Sequence, residues 1–128
     1  MLIGDYFAEI SRLVHDHETA GFIRSSDLLT EARSDDLGYL RATFMFSDYS
    51  ELHVREYIRV HGERIERLSF AYHYQNRSGD LRFRYDNAAH RPAAPLPVHK
   101  HLPNRIGSAE ALTLREVFRE IVREHLKR

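Results

Sequence analysis

Alternation of apolar and polar residues between positions 38 and 86 constrains the fold of this chain more than any other feature. A period of two is typical of β-strands that bury one face, and Gly, Ser and Asp residues between the runs are typical of tight turns. The alternating runs are GYLRATFMF (38–46), ELHVREYIRV (51–60), RIERLSFAYHYQ (64–75) and LRFRYD (81–86). This pattern predicts a four-stranded antiparallel meander.

Helical periodicity flanks the predicted meander on both sides. Apolar residues recur at helical spacing in 5–17 and again in 113–126, where Thr113 and Glu116 form a capping-box pattern. Residues 22–33 are ambiguous between one bent strand and two short pieces. We therefore predict one α+β domain over 1–128, with an antiparallel meander of four or five strands and both helices on one face. The predicted buried core is Leu40, Phe44, Leu52, Val54, Leu68, Phe70, Phe83, Phe118 and Ile121.

Composition excludes several classes of protein. The chain has 128 residues and no cysteine, which rules out disulfides and thiolate metal sites. It has no long apolar run and no signal-peptide pattern, so we expect a cytoplasmic protein that does not enter a membrane. The net charge is zero, but residues 1–51 hold 10 acidic and 4 basic residues, whereas 52–128 hold 9 and 15. A basic half suggests a polyanionic or acidic partner, although surface arginines commonly form solvated pairs only.

The face of the predicted sheet that the helices leave uncovered collects basic and aromatic side chains. If the strand register holds, it carries Arg55, Tyr57, Arg59, Ser69, His73, Arg82, Arg84 and Asp86. Glu56 falls on the other, inward face, where an unpaired carboxylate is costly. We expect it either to pair with an arginine or to be turned outward by a bulge, and a carboxylate at a functional site is the alternative.

Residues 88–107 are predicted to form a long loop that contains all four prolines. Within HRPAAPLPVHKH (90–101), His90, His99 and His101 offer three imidazoles, which is enough to hold zinc or nickel with one position open. The spacing matches no derivable metal motif, and exposed histidines in a polar loop are the simpler interpretation. We therefore expect no cofactor and keep these three histidines as the alternative metal site.

Acid–base cleavage of RNA is the other chemistry for which these residues supply the ingredients, although a chain with nine histidines can bring such residues together by coincidence. A histidine pair can serve as general base and general acid near neutral pH, and arginine or lysine can hold the phosphate. The candidate catalytic residues are His73, Arg84, Asp86, His90, His99, Lys100 and His101, with Asp86 orienting a histidine. The candidate substrate-binding residues are Arg55, Tyr57, Tyr72 and Arg82, the tyrosines by stacking on a base.

The ordered runs REYIRV, FAYHYQ, LRFRYDNAAH and VHKHLP resemble the TumE family of prokaryotic toxin–antitoxin toxins. DYFAEI near the start and TLREV near the end extend the resemblance over 5–126. It implies growth inhibition relieved by a cognate antitoxin, and it assigns no reaction. The expected partners are that antitoxin and RNA, with a homodimer as a further option. The alternative is that the chain is a non-enzymatic binding protein whose basic sheet face binds an acidic partner or nucleic acid.

Overall fold

The computed structural model describes residues 1–87, 98–102, 105–109 and 113–126, and for 98–99 and 105–109 it describes the backbone. Within these ranges the chain forms one seven-stranded antiparallel sheet whose strands follow sequence order. The elements are α1 (Ile3–Thr19), β1 (Ile23–Ala32), β2 (Leu37–Phe46), β3 (Glu51–His61), β4 (Arg64–Gln75), β5 (Leu81–Asp86), β6 (Val98–Leu102), β7 (Arg105–Ala109) and α2 (Leu114–Ile121), which continues as a π-helical turn over Val122–Leu126.

The α+β meander is confirmed, but the predicted number of strands is wrong. Residues 22–33 form a single strand, β1, with a register shift between Ile23 and Ser25. Of the other two additional strands, β6 lies within the segment 88–107 that was predicted to be a loop, and β7 begins there and extends to Ala109. β6 pairs with the edge of β5, and β7 then pairs with β6. An unpaired edge offers a row of backbone donors and acceptors, which explains why these short segments become strands.

Both helices pack on the same face of the sheet, as predicted. Their apolar stripes and the inward residues of the strands form one continuous core. Phe118 of α2 is fully buried, and its ring lies 5.1 Å from that of Phe44 and 4.7 Å from that of His17 in α1. Thr113 and Glu116 form the predicted capping box at the start of α2. The opposite face of the sheet, here called the open face, is not covered by a helix of the described chain.

Leu68 is the exception among the predicted core residues, because 38% of it is exposed, whereas the others are buried. The register between β3 and β4 shifts at this point. Tyr57 lies opposite Ser69 and Ile58 lies opposite Arg67, so Leu68 is the extra residue of a β-bulge. The bulge reverses the phase of the alternation, which turns Leu68 outward and Arg67 inward.

Candidate active site on the open face of the sheet

Strand register aligns histidines and an arginine across the open face. His53 of β3 lies opposite His73 of β4, and His73 lies opposite Arg84 of β5. Arg84 in turn lies opposite His101 of β6. Because directly opposite residues in antiparallel strands have Cβ atoms about 4.5–5.5 Å apart, these four side chains form a continuous line, the histidine row. The rings of His53 and His73 are 6.0 Å apart.

A shallow cavity lies beside the histidine row, where Ala71 interrupts a second line of long side chains. Ala71 lies opposite Arg55, and Arg55 lies opposite Arg41 of β2. The cavity has a volume of about 150 Å³, and its lining includes Arg41, His53, Arg55, Ala71, His73 and Arg84. Among the described residues that line it there is no carboxylate. Three guanidinium groups and two imidazoles around a small depression favour an anion there.

Asp86 contacts the two members of the histidine row that lie on β5 and β6, Arg84 and His101. Its Oδ2 accepts a hydrogen bond from Nε of Arg84 at 2.8 Å and lies 3.2 Å from Nε2 of His101. Asp86 is buried, with 3% exposure, while Arg84 and His101 are partly exposed. A single carboxylate oxygen therefore holds the guanidinium and the imidazole side by side. The strand register places both residues on the open face, where Nε2 of His101 is buried against this carboxylate.

His73 lies at the centre of the histidine row and is partly buried. Burial lowers its pKa below the ordinary value, the hydrogen bond to Gln75 opposes this, and the nearby charge of Arg84 lowers it further. The bond joins Nε2 of His73 to Oε1 of Gln75 at 3.1 Å. Because an amide oxygen can only accept, Nε2 carries the hydrogen and Nδ1 is the basic atom of the neutral ring. His73 is therefore suited to accept a proton near neutral pH.

The structure places Lys100 and Tyr72 away from this site. Lys100 lies opposite Tyr85 on the helix side of the sheet, where its Nζ donates to Glu120 of α2 at 3.3 Å. Its neighbours in β6, His99 and His101, lie opposite Asp86 and Arg84, and because successive residues of a strand alternate, Lys100 lies on the other face. Tyr72 is fully buried on the same helix side, and its hydroxyl donates to Glu56. These placements remove Lys100 from the catalytic set and Tyr72 from the substrate-binding set.

Comparison with known proteins identifies the family of the chain. The sequence model of the family described as Toxin TumE matches residues 10–128. The chain belongs to the TumE toxin family. Membership makes it the toxin component of a toxin–antitoxin system and implies an antitoxin partner. No curated protein and no solved structure matches the chain. In the described ranges, no helix of this TumE-family toxin is long and apolar enough to cross a membrane.

The remaining predicted substrate-binding residues lie at the margins of the site. Arg55 is exposed on the open face and lines the cavity. Tyr57 lies two residues further along β3, on the same face and opposite Tyr39 of β2. Arg82 is exposed at the register shift between β4 and β5, so it is displaced from the regular rows. The two tyrosines extend the basic surface with aromatic rings, which bases can stack on.

The metal alternative stays a prediction. His90 lies outside the described residues, and His99 is described by its backbone alone, opposite Asp86. Where side chains are described, no group of three His, Asp or Glu residues could hold a metal ion. His101, the third member of the proposed ligand set, contacts Asp86 instead.

Glu56 lies inside the core and joins α1 to the sheet. Its Oε1 accepts a hydrogen bond from the hydroxyl of Tyr6 at 2.5 Å, and its Oε2 accepts one from Tyr72. Arg67, turned inward by the bulge at Leu68, donates from Nη1 to the Tyr72 hydroxyl at 2.9 Å. Burial raises the pKa of Glu56, and the two hydroxyl bonds lower it. For Glu56 we expected either a pairing with an arginine or a bulge that turns the carboxylate outward. A bulge and a nearby arginine both occur, but the bulge lies in β4 and turns Arg67 inward, and Glu56 stays buried.

His53 and Arg41 belong to the cavity but were not among the predicted site residues. Both follow from the alternation, which puts His53 in phase with Arg55 and puts Arg41 in phase with the outward residues of β2. The short turn between β2 and β3 sets their register, so Arg41 lies opposite Arg55. The alternation in the sequence could have identified both residues, but only if β2 and β3 had been paired residue by residue.

Proposed function

We propose that this toxin is a metal-independent ribonuclease that inhibits growth by cleaving RNA on the open face. The observation that carries the proposal is the histidine row, in which His73 and His101 lie on either side of Arg84. Cleavage of a phosphodiester by an internal nucleophile needs a base, an acid and a cation around one phosphate. This row supplies one of each within three neighbouring strands.

The proposed reaction uses the ribose 2′-hydroxyl as the nucleophile. His73 removes the proton of that hydroxyl, and the 2′-oxygen forms a bond to phosphorus. The bond from phosphorus to the 5′-oxygen of the next nucleotide breaks, and His101 donates a proton to the departing oxygen. The products are a 2′,3′-cyclic phosphate and a 5′-hydroxyl end. Water is not consumed in this step, and each histidine ends in the opposite protonation state.

The positions of the two histidines fit the geometry of this displacement. The entering and leaving oxygens lie on opposite sides of phosphorus, so the base and the acid must flank the phosphate. His73 is on β4 and His101 is on β6, and adjacent strands are about 4.8 Å apart, which separates their backbones by roughly 10 Å. Arg84, between them on β5, would grip the phosphate with its guanidinium. Asp86 orients Arg84 and His101 for these roles.

Arg41, Arg55 and Tyr57 are the proposed contacts to the rest of the RNA. The two arginines line the cavity beside the row and would hold the adjoining phosphates of a single strand. Tyr57 would stack on a base at the edge of the same surface. His90 and His99 remain proposed members of the site, since β6 brings the backbone of His99 opposite Asp86.

Cleavage of labelled RNA by the purified protein tests the proposal. We expect a bell-shaped pH profile with a maximum between about pH 6 and 8, because the base and the acid need opposite protonation states. His73→Ala and His101→Ala should each reduce the rate by about 10²–10⁴-fold and abolish growth inhibition, with circular dichroism unchanged. His61→Ala is the matched control, because His61 is an exposed histidine at the end of β3 that contacts Glu66.

Two outcomes would contradict the mechanism. Wild-type protein that binds RNA and leaves it intact across this pH range, with and without zinc, would support the binding-protein alternative instead. Activity that appears only when zinc or nickel is added, and that is lost in His90→Ala and His99→Ala, would favour the three-histidine metal site.

In crystals, we expect a sulfate or phosphate ion beside Arg84.

A further inference from the structure

The helix side of the sheet carries a second concave surface, which the proposed ribonuclease mechanism does not use. A cavity of about 360 Å³ lies where α1, β4 and the start of α2 meet, and one of about 200 Å³ lies where the end of α1 meets α2. Arg115 lines both, so the two cavities adjoin. We call the combined surface the helix groove.

The floor of the helix groove is mostly aliphatic, although Tyr6 lines the larger cavity and His17 and Phe22 line the smaller one. Ile10 and Leu13 of α1, Ile65 of β4 and Leu114 of α2 line the larger cavity, and Val122 lines the smaller one. Leu13 and Leu114 are nearly fully buried, so they form the bottom of the groove rather than its rim. A concave apolar floor of this size suits the apolar face of an amphipathic segment, which places side chains into such grooves at helical spacing.

The rim of the helix groove is strongly basic. Among its lining residues, four are arginines, Arg67, Arg115, Arg119 and Arg123, and one is a carboxylate, Glu9. Arg115, Arg119 and Arg123 recur every four residues, which puts them on one side of α2. In the described part of the chain, these three arginines form no ion pair. Arg119 and Arg123 also line a neighbouring cavity with Glu116, Glu120 and Glu124, but Glu116 caps α2 and Glu120 bonds to Tyr85 and Lys100. Within the groove itself, charge complementarity therefore calls for an occupant that carries acidic side chains beside apolar ones.

We propose that the helix groove is the docking site for an acidic, amphipathic segment of the cognate antitoxin. The occupant is a protein segment rather than RNA, because bases stack on exposed aromatic rings. The one aromatic residue that lines the larger cavity, Tyr6, is buried, so that cavity offers no exposed ring. A toxin of this family has a protein partner that must recognise it, and the groove offers both an apolar floor and unpaired charge. The groove lies on the opposite face of the sheet from the histidine row. Recognition by the antitoxin and toxicity should therefore be separable by mutation.

Growth assays with the antitoxin encoded beside this toxin provide the test. The toxin variant is Arg115→Glu combined with Arg119→Glu, and the matched control is Arg33→Glu combined with Arg77→Glu, two exposed arginines outside the groove. We expect the groove variant to inhibit growth as the wild type does and to escape rescue by the antitoxin. Titration of the purified proteins should show binding at least about tenfold weaker than for the wild type and the control. Arg119→Gln combined with Arg123→Gln gives a milder second variant, which should also weaken binding.

Each contrary result has a definite meaning. Full rescue of both groove variants, with wild-type affinity for the antitoxin, would overturn the proposal. Loss of RNA binding and of toxicity in folded groove variants that still bind the antitoxin would overturn it in favour of an RNA path through the groove. The test does not depend on the ribonuclease mechanism, because it compares toxicity with and without rescue whatever the toxic reaction is.

Discussion

At the scale of single residues, the proposed role of His73 as the general base depends on a balance between burial and one hydrogen bond. Burial lowers its pKa, and the bond from Nε2 to Oε1 of Gln75 partly offsets that effect. Both residues lie on the open face, two positions apart in β4. The neutral form, which a general base needs, therefore extends to lower pH than for an unperturbed histidine.

Replacement of Gln75 should shift the acid limb of the pH–rate profile. Gln75→Ala removes a bond that raises the pKa of His73, so the midpoint of the acid limb should move to lower pH. Gln75→Glu brings a negative charge next to the imidazolium, which raises its pKa, and should move the midpoint to higher pH. Rates of RNA cleavage between about pH 4 and 8 measure both shifts. An acid limb that stays in place in both folded variants would show that His73 is not the base.

At the scale of elements, the alternation predicted the four central strands nearly to the residue, because each buries one face against the helices. It could not predict β6 and β7, since their segments are five residues each and follow closely on Pro97 and Pro103. β6 pairs with the edge of β5, and β7 pairs with β6, so both strands depend on a tertiary feature. Without a strand there, the faces of Lys100 and His101 could not be assigned, although one contacts Glu120 and the other Asp86.

The bulge in β4 escaped prediction for a different reason. Leu68, Phe70, Tyr72 and Tyr74 alternate in phase, and among the large apolar residues of this run only Ile65, three residues before Leu68, is out of phase with them. The inward position of Arg67 is favoured by Tyr72 and the buried Glu56, which the local pattern does not contain. A long-range polar network thus overrides the local preference of a leucine for the core.

The contact between α1 and β2 depends on the absence of a side chain at Gly38. A Cβ added there would lie 2.7 Å from Cγ1 of Ile3 and 2.8 Å from Cζ of Phe7. Both residues belong to the packed core, so Gly38→Ala should lower the free energy of unfolding by about 1–3 kcal/mol. Gly4→Ala is the control, because its Cβ would meet nothing within 4 Å, and alanine should stabilise the helix by up to about 1 kcal/mol. Urea denaturation measures both, and a Gly38→Ala protein as stable as the control would refute the close approach.

At the scale of the whole molecule, the sheet separates two basic surfaces. The open face presents Arg55 and Arg84 around the cavity, and the helix groove presents Arg115 and Arg119. The excess of basic residues in 52–128 is therefore divided between opposite sides of one sheet. A net charge of zero conceals this division, so overall charge alone would not suggest that the chain binds a polyanion.

The salt dependence of RNA binding should show which of the two surfaces contacts RNA. For single strands, each phosphate contact contributes about 0.7 to the slope of the logarithm of affinity against the logarithm of salt concentration. In a His73→Ala background, which prevents cleavage, Arg41→Gln combined with Arg55→Gln should therefore reduce that slope by about 1.4. Arg115→Gln combined with Arg119→Gln removes the same charge from the opposite face and should leave the slope unchanged. Fluorescence anisotropy with a labelled oligoribonucleotide measures both, and the reverse result would move the RNA from the open face to the helix groove.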